Sequence, residues 1–112
     1  MHELAITRSV VAIVAEAAKG RRVGRVTLEI GKLSGVMSEA IAFCFDAVAA
    51  GTPLEGAQLE IREIEGRARC MSCGREVATE TLFARCDCGS NRMERLQGEE
   101  LNVKSMELAE AT

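Results

Sequence analysis

Four of the five cysteines fall in one stretch, CMSCGREVATETLFARCDC, as two close pairs, Cys70/Cys73 and Cys86/Cys88, separated by twelve residues. Two short cysteine turns facing each other across a hairpin supply four thiolates at tetrahedral corners, the arrangement that zinc favours at about 2.3 Å. Disulfides, a redox CxxC and an iron site are the competing readings of such a pattern. The N-terminal residues lack the basic-then-apolar pattern of a secretory leader, and a reducing compartment keeps thiols free, so structural zinc is the expectation. Gly74, directly after Cys73, suits a tight knuckle because glycine takes positive φ without cost. The second pair is CxC, with Asp87 alone between its cysteines, a tighter turn that Gly89 is placed to relieve. The fifth cysteine, Cys44, sits mid-helix on an apolar stripe and reads as a small buried hydrophobe.

The second cluster of metal chemistry is at the other end. His2 is the single histidine and directly follows Met1. The terminal amine of Met1, the amide nitrogen of His2 and its imidazole can close adjacent chelate rings around one ion, and nitrogen donors in a plane suit Ni²⁺ or Cu²⁺. A bulky second residue disfavours removal of the initiator methionine, which preserves that chelate. Glu3 adds a carboxylate or backbone donor. Such a site is shallow and suits passing an ion on better than keeping it.

Elements to position these residues are legible as periodicities. From Leu4 to Lys19, Ile6, Val10, Ile13, Val14 and Ala17 recur at helical steps, ended by Gly20. Residues 25–31 alternate as a half-buried strand with Val26, Leu28 and Ile30 on one face. Leu33-Ser34-Gly35-Val36 reads as a connecting turn, and Ser38 as the cap of a second helix whose inner stripe is Ile41, Cys44, Phe45 and Val48, stopped by Gly51 and Pro53. Leu59 and Ile61 mark a second strand, and Gly66 the passage into the cysteine segment. In the last strand, Glu99 to Leu108, Leu101 and Val103 are out of phase with Met106 and Leu108, which predicts a bulge near Lys104 or Ser105. The fold expected is α+β: two helices packed on a small three-stranded sheet, with an inserted zinc-ribbon-like domain built on the four cysteines. Residues 1–66 plus 98–112 form one unit in this reading, the one that carries the N-terminal chelate and that the resemblance given below makes nickel-binding, and 67–97 the zinc-binding one.

Composition narrows the functional classes. In 112 residues, 47% are hydrophobic but only three are Phe and none Trp or Tyr, so the core is aliphatic and little is left to stack on bases. Phe43, Phe45 and Phe83 read as packing residues. Net charge is −3, and the six arginines of residues 67–98 face four acids. Four thiolates around one Zn²⁺ add about −2 and bring that segment to neutrality, which argues against nucleic-acid binding. No apolar run is long enough to span a membrane. With a single histidine, no nucleophile motif and a cysteine site without an open position, an enzyme is not expected.

The opening MHELAIT, the segment IGKLSGVMSEAIAFCF, the cysteine cluster ending CDCGS and the closing ELNVKSMEL together resemble the HypA/HybF hydrogenase maturation factors. The resemblance covers nearly the whole chain, and MHE at the start combined with a four-cysteine cluster in the last third is specific. It implies a cytoplasmic nickel metallochaperone that works with a HypB-type GTPase to deliver Ni(II) to the hydrogenase large-subunit precursor, and in some organisms serves urease and its accessory proteins. The nickel site it implies includes His2, with Glu3 implicated, and its zinc ligands map onto Cys70, Cys73, Cys86 and Cys88. The CxC pair departs from the family's usual CxxC. The alternative is a zinc-ribbon interaction module, for protein or nucleic acid, in which His2 is incidental.

Overall fold

The computed structural model describes residues 2–110. In chain order it has α1 (Glu3–Ala18), β1 (Val23–Gly31), α2 (Ser38–Ala49), β2 (Gln58–Ile64), β3 (Gly66–Cys70), β4 (Glu76–Thr79), β5 (Met93–Gln97) and β6 (Leu101–Leu108). These make an α+β arrangement with two three-stranded sheets, ordered β2-β1-β6 and β4-β3-β5. In the first, β1 is central, parallel to β2 and antiparallel to β6. The alternation along β1 sends Val26, Leu28 and Ile30 to one face, where they join Val10, Val11 and Val14 of α1, Ile41 and Phe45 of α2, and Leu54 in one buried aliphatic cluster. The expected bulge is present: Thr27 pairs with Ser105 but Leu28 with Val103, which leaves Lys104 as the extra residue and returns the apolar side chains on either side of it to the core face.

Several local expectations are corrected. Helix α1 buries Thr7, Val10, Val11, Val14 and Ala18, so its inner face is rotated from the one read off the sequence, and Ile13 is 61% exposed. Thr7 can face inward because its hydroxyl donates to the Glu3 carbonyl at 2.7 Å, which removes the cost of burying it. Ser38 is the first helical residue of α2 and does not cap it; Met37 holds the cap position with extended backbone. Of the three phenylalanines only Phe45 packs. Phe43, two residues earlier, lies on the opposite side of α2, and it and Phe83 are each almost fully exposed.

The two sheets meet at a crowded glycine junction around Leu33. The Leu33 N–H donates to the Gly98 carbonyl at 2.7 Å, and the Gly31 N–H to the Glu100 carbonyl at 2.7 Å. A Cβ on Gly31 would lie 1.9 Å from the Gly98 carbonyl oxygen, and one on Gly66 2.4 Å from the Thr79 carbonyl oxygen. Gly98, at φ +119°, would place a Cβ 2.7 Å from the Gly66 Cα. Only backbone fits here, and Leu33, a residue of the connecting turn, is buried over it.

Candidate metal centres

The second sheet builds the cysteine cluster from its two open ends. Cys70 is the last residue of β3, and the turn after it closes with the Gly74 N–H donating to the Cys70 carbonyl at 2.9 Å, Gly74 taking φ +78°. The second turn is one residue tighter: the Gly89 N–H donates to the Cys86 carbonyl at 2.9 Å and the Cys86 N–H to the Ser90 carbonyl at 3.0 Å, with Gly89 at φ +93°. Glycine therefore absorbs the CxC spacing. A hydrogen bond between the Ser72 and Ser90 hydroxyls, 2.9 Å, ties the two turns together.

The four Sγ atoms all lie within 4.8 Å of one another. Cys70 and Cys88 stand 3.6 Å apart, as do Cys73 and Cys86. A disulfide needs about 2.05 Å, so these are not bonded pairs. A tetrahedron with zinc–sulfur bonds of about 2.3 Å has edges of about 3.8 Å, and the cluster is close to that. The N–H groups of Ser72 and Cys73 both donate to Cys70 Sγ at 3.4 Å. The Cys73 N–H, with Ser72 beside it, outweighs burial and holds the Cys70 thiol down at about 6. Cys88 is pushed up to about 11: the Ser90 N–H favours its thiolate, but the Cys70 and Cys86 sulfurs and burial outweigh that donor. Negative charge thus gathers on the sulfur with two backbone donors. The donor set, its spacing and its half-buried setting fit a structural zinc ion. Cys44 stands apart from the cluster, half-buried in α2.

At the other end, His2 is exposed and occupies the N-cap position of α1, its carbonyl accepting the Ile6 N–H at 3.1 Å. Glu3 opens the helix, a favourable place for a carboxylate against the helix dipole. Its Oε2 accepts the Met37 N–H at 3.0 Å, and that bond first, with Glu3's own backbone N–H, holds the carboxyl below its ordinary value. Met1, the third residue of the nickel set, lies outside the described residues. The Glu3–Met37 bond has no sequence signal, because its donor is a backbone amide of the segment between β1 and α2.

Four sulfurs gathered on a separate small sheet of an α+β fold are the mark of a metal-binding protein. A family model described as "Hydrogenase/urease nickel incorporation, metallochaperone, hypA" matches residues 1–108. Hydrogenase maturation factor HypA of Rippkaea orientalis is 57% identical over 111 residues, covering 98% of this chain and 97% of the relative. The factor of the same name from Geobacter metallireducens is 51% identical over 109 residues, covering 96% and 99%. Among solved structures, the solution structure of the Ni metallochaperone HypA from Helicobacter pylori superposes with a TM-score of 0.66 at 24% identity, covering 96% of this chain and 97% of that one, a likeness of fold. A second solution structure of a HypA protein gives 0.70 at 25% identity, covering 97% of each. The chain belongs to the HypA family of hydrogenase nickel-incorporation metallochaperones.

Proposed function

We propose that this chain binds Ni²⁺ through Met1, His2 and Glu3 and hands it on during maturation of a [NiFe] hydrogenase, while Cys70, Cys73, Cys86 and Cys88 hold one zinc ion for structure. The observation that carries the reading is the exposed His2 at the head of α1, beside a carboxylate already fixed in place, in a chain that matches the nickel-incorporation family over residues 1–108. Nickel is cargo here, and a shallow site made of terminal groups lets it leave. Zinc in a closed four-thiolate site offers no position for a reacting water, so the protein acts by binding and transfer and is not an enzyme.

The two units then divide the work, residues 1–66 with 98–112 taking nickel and residues 67–97 keeping zinc. The partners in this reading are a HypB-type GTPase and the hydrogenase large-subunit precursor, with urease accessory proteins a further set. Nucleic acid is not among them. No helix among the described residues is long and apolar enough to cross a membrane, and a cytoplasmic site of action goes with the reading. Calorimetry with Ni²⁺ on the native, His2→Ala and N-terminally extended proteins tests it: both changes should weaken binding, and equal affinity in native and His2→Ala removes the nickel assignment.

A further inference from the structure

We propose that the outer face of α2, centred on Phe43, is the docking surface for the protein that receives the nickel, which lays a lysine or arginine over the Phe43 ring between Glu39 and Asp46. The choice of occupant rests on the nickel function proposed for the chain. Helix α2 turns Ile41, Phe45 and Ala49 into the core. At 3.6 residues per turn the opposite face carries Glu39, Ala42, Phe43, Asp46 and Ala47, all of them exposed. Phe43 is 88% exposed there, and Met37, at the head of the same helix, 64%. A large ring left in water among alanines, with charged groups at its rim, is surface of the kind that a partner covers.

The charge around the ring selects the occupant. Glu39 stands one turn before Phe43 and Asp46 one turn after it, the spacings at which side chains on a helix are neighbours. Neither carboxylate takes part in an ion pair among the described residues. Residues 33–61 contain no lysine, arginine or histidine to answer them. The face of an aromatic ring attracts a cation as the two carboxylates do, so all three groups favour the same guest. Phosphate backbones and anionic lipid are repelled, and a second α2 would bring the same charges. The face also lies beside the nickel end. The Met37 amide holds the Glu3 carboxylate at 3.0 Å, and Phe43 follows about 9 Å further along the helix axis. Helical side chains lean toward the N-terminus, so the ring leans back toward that bond. A protein seated on Phe43 therefore stands beside the head of α1, where His2 is exposed.

Calorimetry with the purified hydrogenase large-subunit precursor as titrant tests the surface, on native protein, Phe43→Ser, Phe43→Leu and the doubly neutralised Glu39→Gln/Asp46→Asn. Native protein should bind the precursor with an affinity that falls as salt is added. Phe43→Ser should bind about tenfold more weakly or worse, as loss of a central anchor does. Phe43→Leu keeps apolar area without the ring and should recover only part of that loss. Glu39→Gln/Asp46→Asn should weaken binding and flatten its salt dependence. Circular dichroism and zinc content, unchanged in every sample, establish that the variants fold, since all three side chains face water. Ni²⁺ titrations of the same samples should match native protein, because none of the three residues belongs to the nickel set. A failed nickel site thus shows in the His2→Ala comparison, and a failed docking surface in the precursor titrations. A precursor that native protein does not bind, or that Phe43→Ser binds as tightly, overturns the proposal. So does full recovery in Phe43→Leu together with an unchanged salt dependence in the neutralised variant, which would leave no cation in the contact.

Discussion

The Glu3 carboxylate and the Met37 amide, 34 positions apart in sequence, are joined by a 3.0 Å hydrogen bond that pins the head of α1 to the head of α2. The bond holds the Glu3 carboxyl below its ordinary 4.5. A depressed carboxyl contributes stability above its unfolded value and loses it as pH falls through the folded one. The Met37 amide resonance should therefore titrate with a midpoint below 4.5, and Glu3→Ala should abolish that titration. A midpoint at or above 4.5 would show that the bond is absent in solution.

His2→Ala should remove most nickel binding while leaving helix content and zinc unchanged, because residue 2 is exposed and outside the buried cluster. Nitrogen donors must shed protons to bind a metal ion, so on the proposed site affinity should fall steeply on acidification. An N-terminal extension of one residue should weaken the site with His2 intact. Calorimetry distinguishes the two: a loss confined to His2→Ala keeps the histidine and discards the amine.

Stripping zinc with a chelator should disorder the sheet β4-β3-β5 and leave the larger aliphatic cluster folded. Among the described residues, the only buried side chains of that small unit are Ala68, Cys70 and Cys86. Amide exchange should rise across residues 66–97 and change little in α1 and β1. Cys44→Ala should leave zinc at one ion per chain; a fall in zinc content would reassign the ligands.

Gly31→Ala should be severe. Its methyl would meet the Gly98 carbonyl oxygen at 1.9 Å, a backbone atom that cannot swing aside, so the end of β1 and the loop between β5 and β6 must part, at a cost of about 3 kcal/mol, at the upper end for overpacking. Gly35→Ala is the control: φ is +79° but nothing lies within 4 Å, and about 1 kcal/mol of left-handed strain is the whole penalty. Denaturant midpoints measure both, and equal losses would mean the junction gives.

The two helices and the three strands of the larger sheet were legible because each is written as a period: 3.6 for the helices, two for the strands, and a phase slip for the bulge at Lys104; the short strands β3, β4 and β5 carry no such period and were not read. The convergence of four sulfurs was legible for a similar reason, since paired cysteines at short spacing have few other uses. What escaped was whatever depends on a partner outside the segment. The inner face of α1 includes Thr7 in place of Ile13 because the helix meets α2 as well as the sheet, and a hydroxyl bonded to its own helix passes as apolar. Met37 and the glycines at 31, 66 and 98 act through backbone atoms that no residue type announces. Phe43 and Phe83 were misread because an aromatic type carries no information about which way its element faces.

The pairing Arg67↔Gln97 in the smaller sheet has a kinetic side. With β2 already paired to β1, strand β6 must still find β1 across the whole of residues 65–100, and a floppy connection of that length is slow to close. Once metal has folded the smaller sheet, the two ends of that connection already lie side by side, and the chain left to order is a few residues at each crossing. Polymer scaling puts the difference near about 2 kcal/mol of closure entropy. Refolding started without zinc should accordingly lag, on the order of tenfold, in the step that docks β6. Metal captured by the cysteines during synthesis would then act as a folding catalyst for a sheet that it never touches.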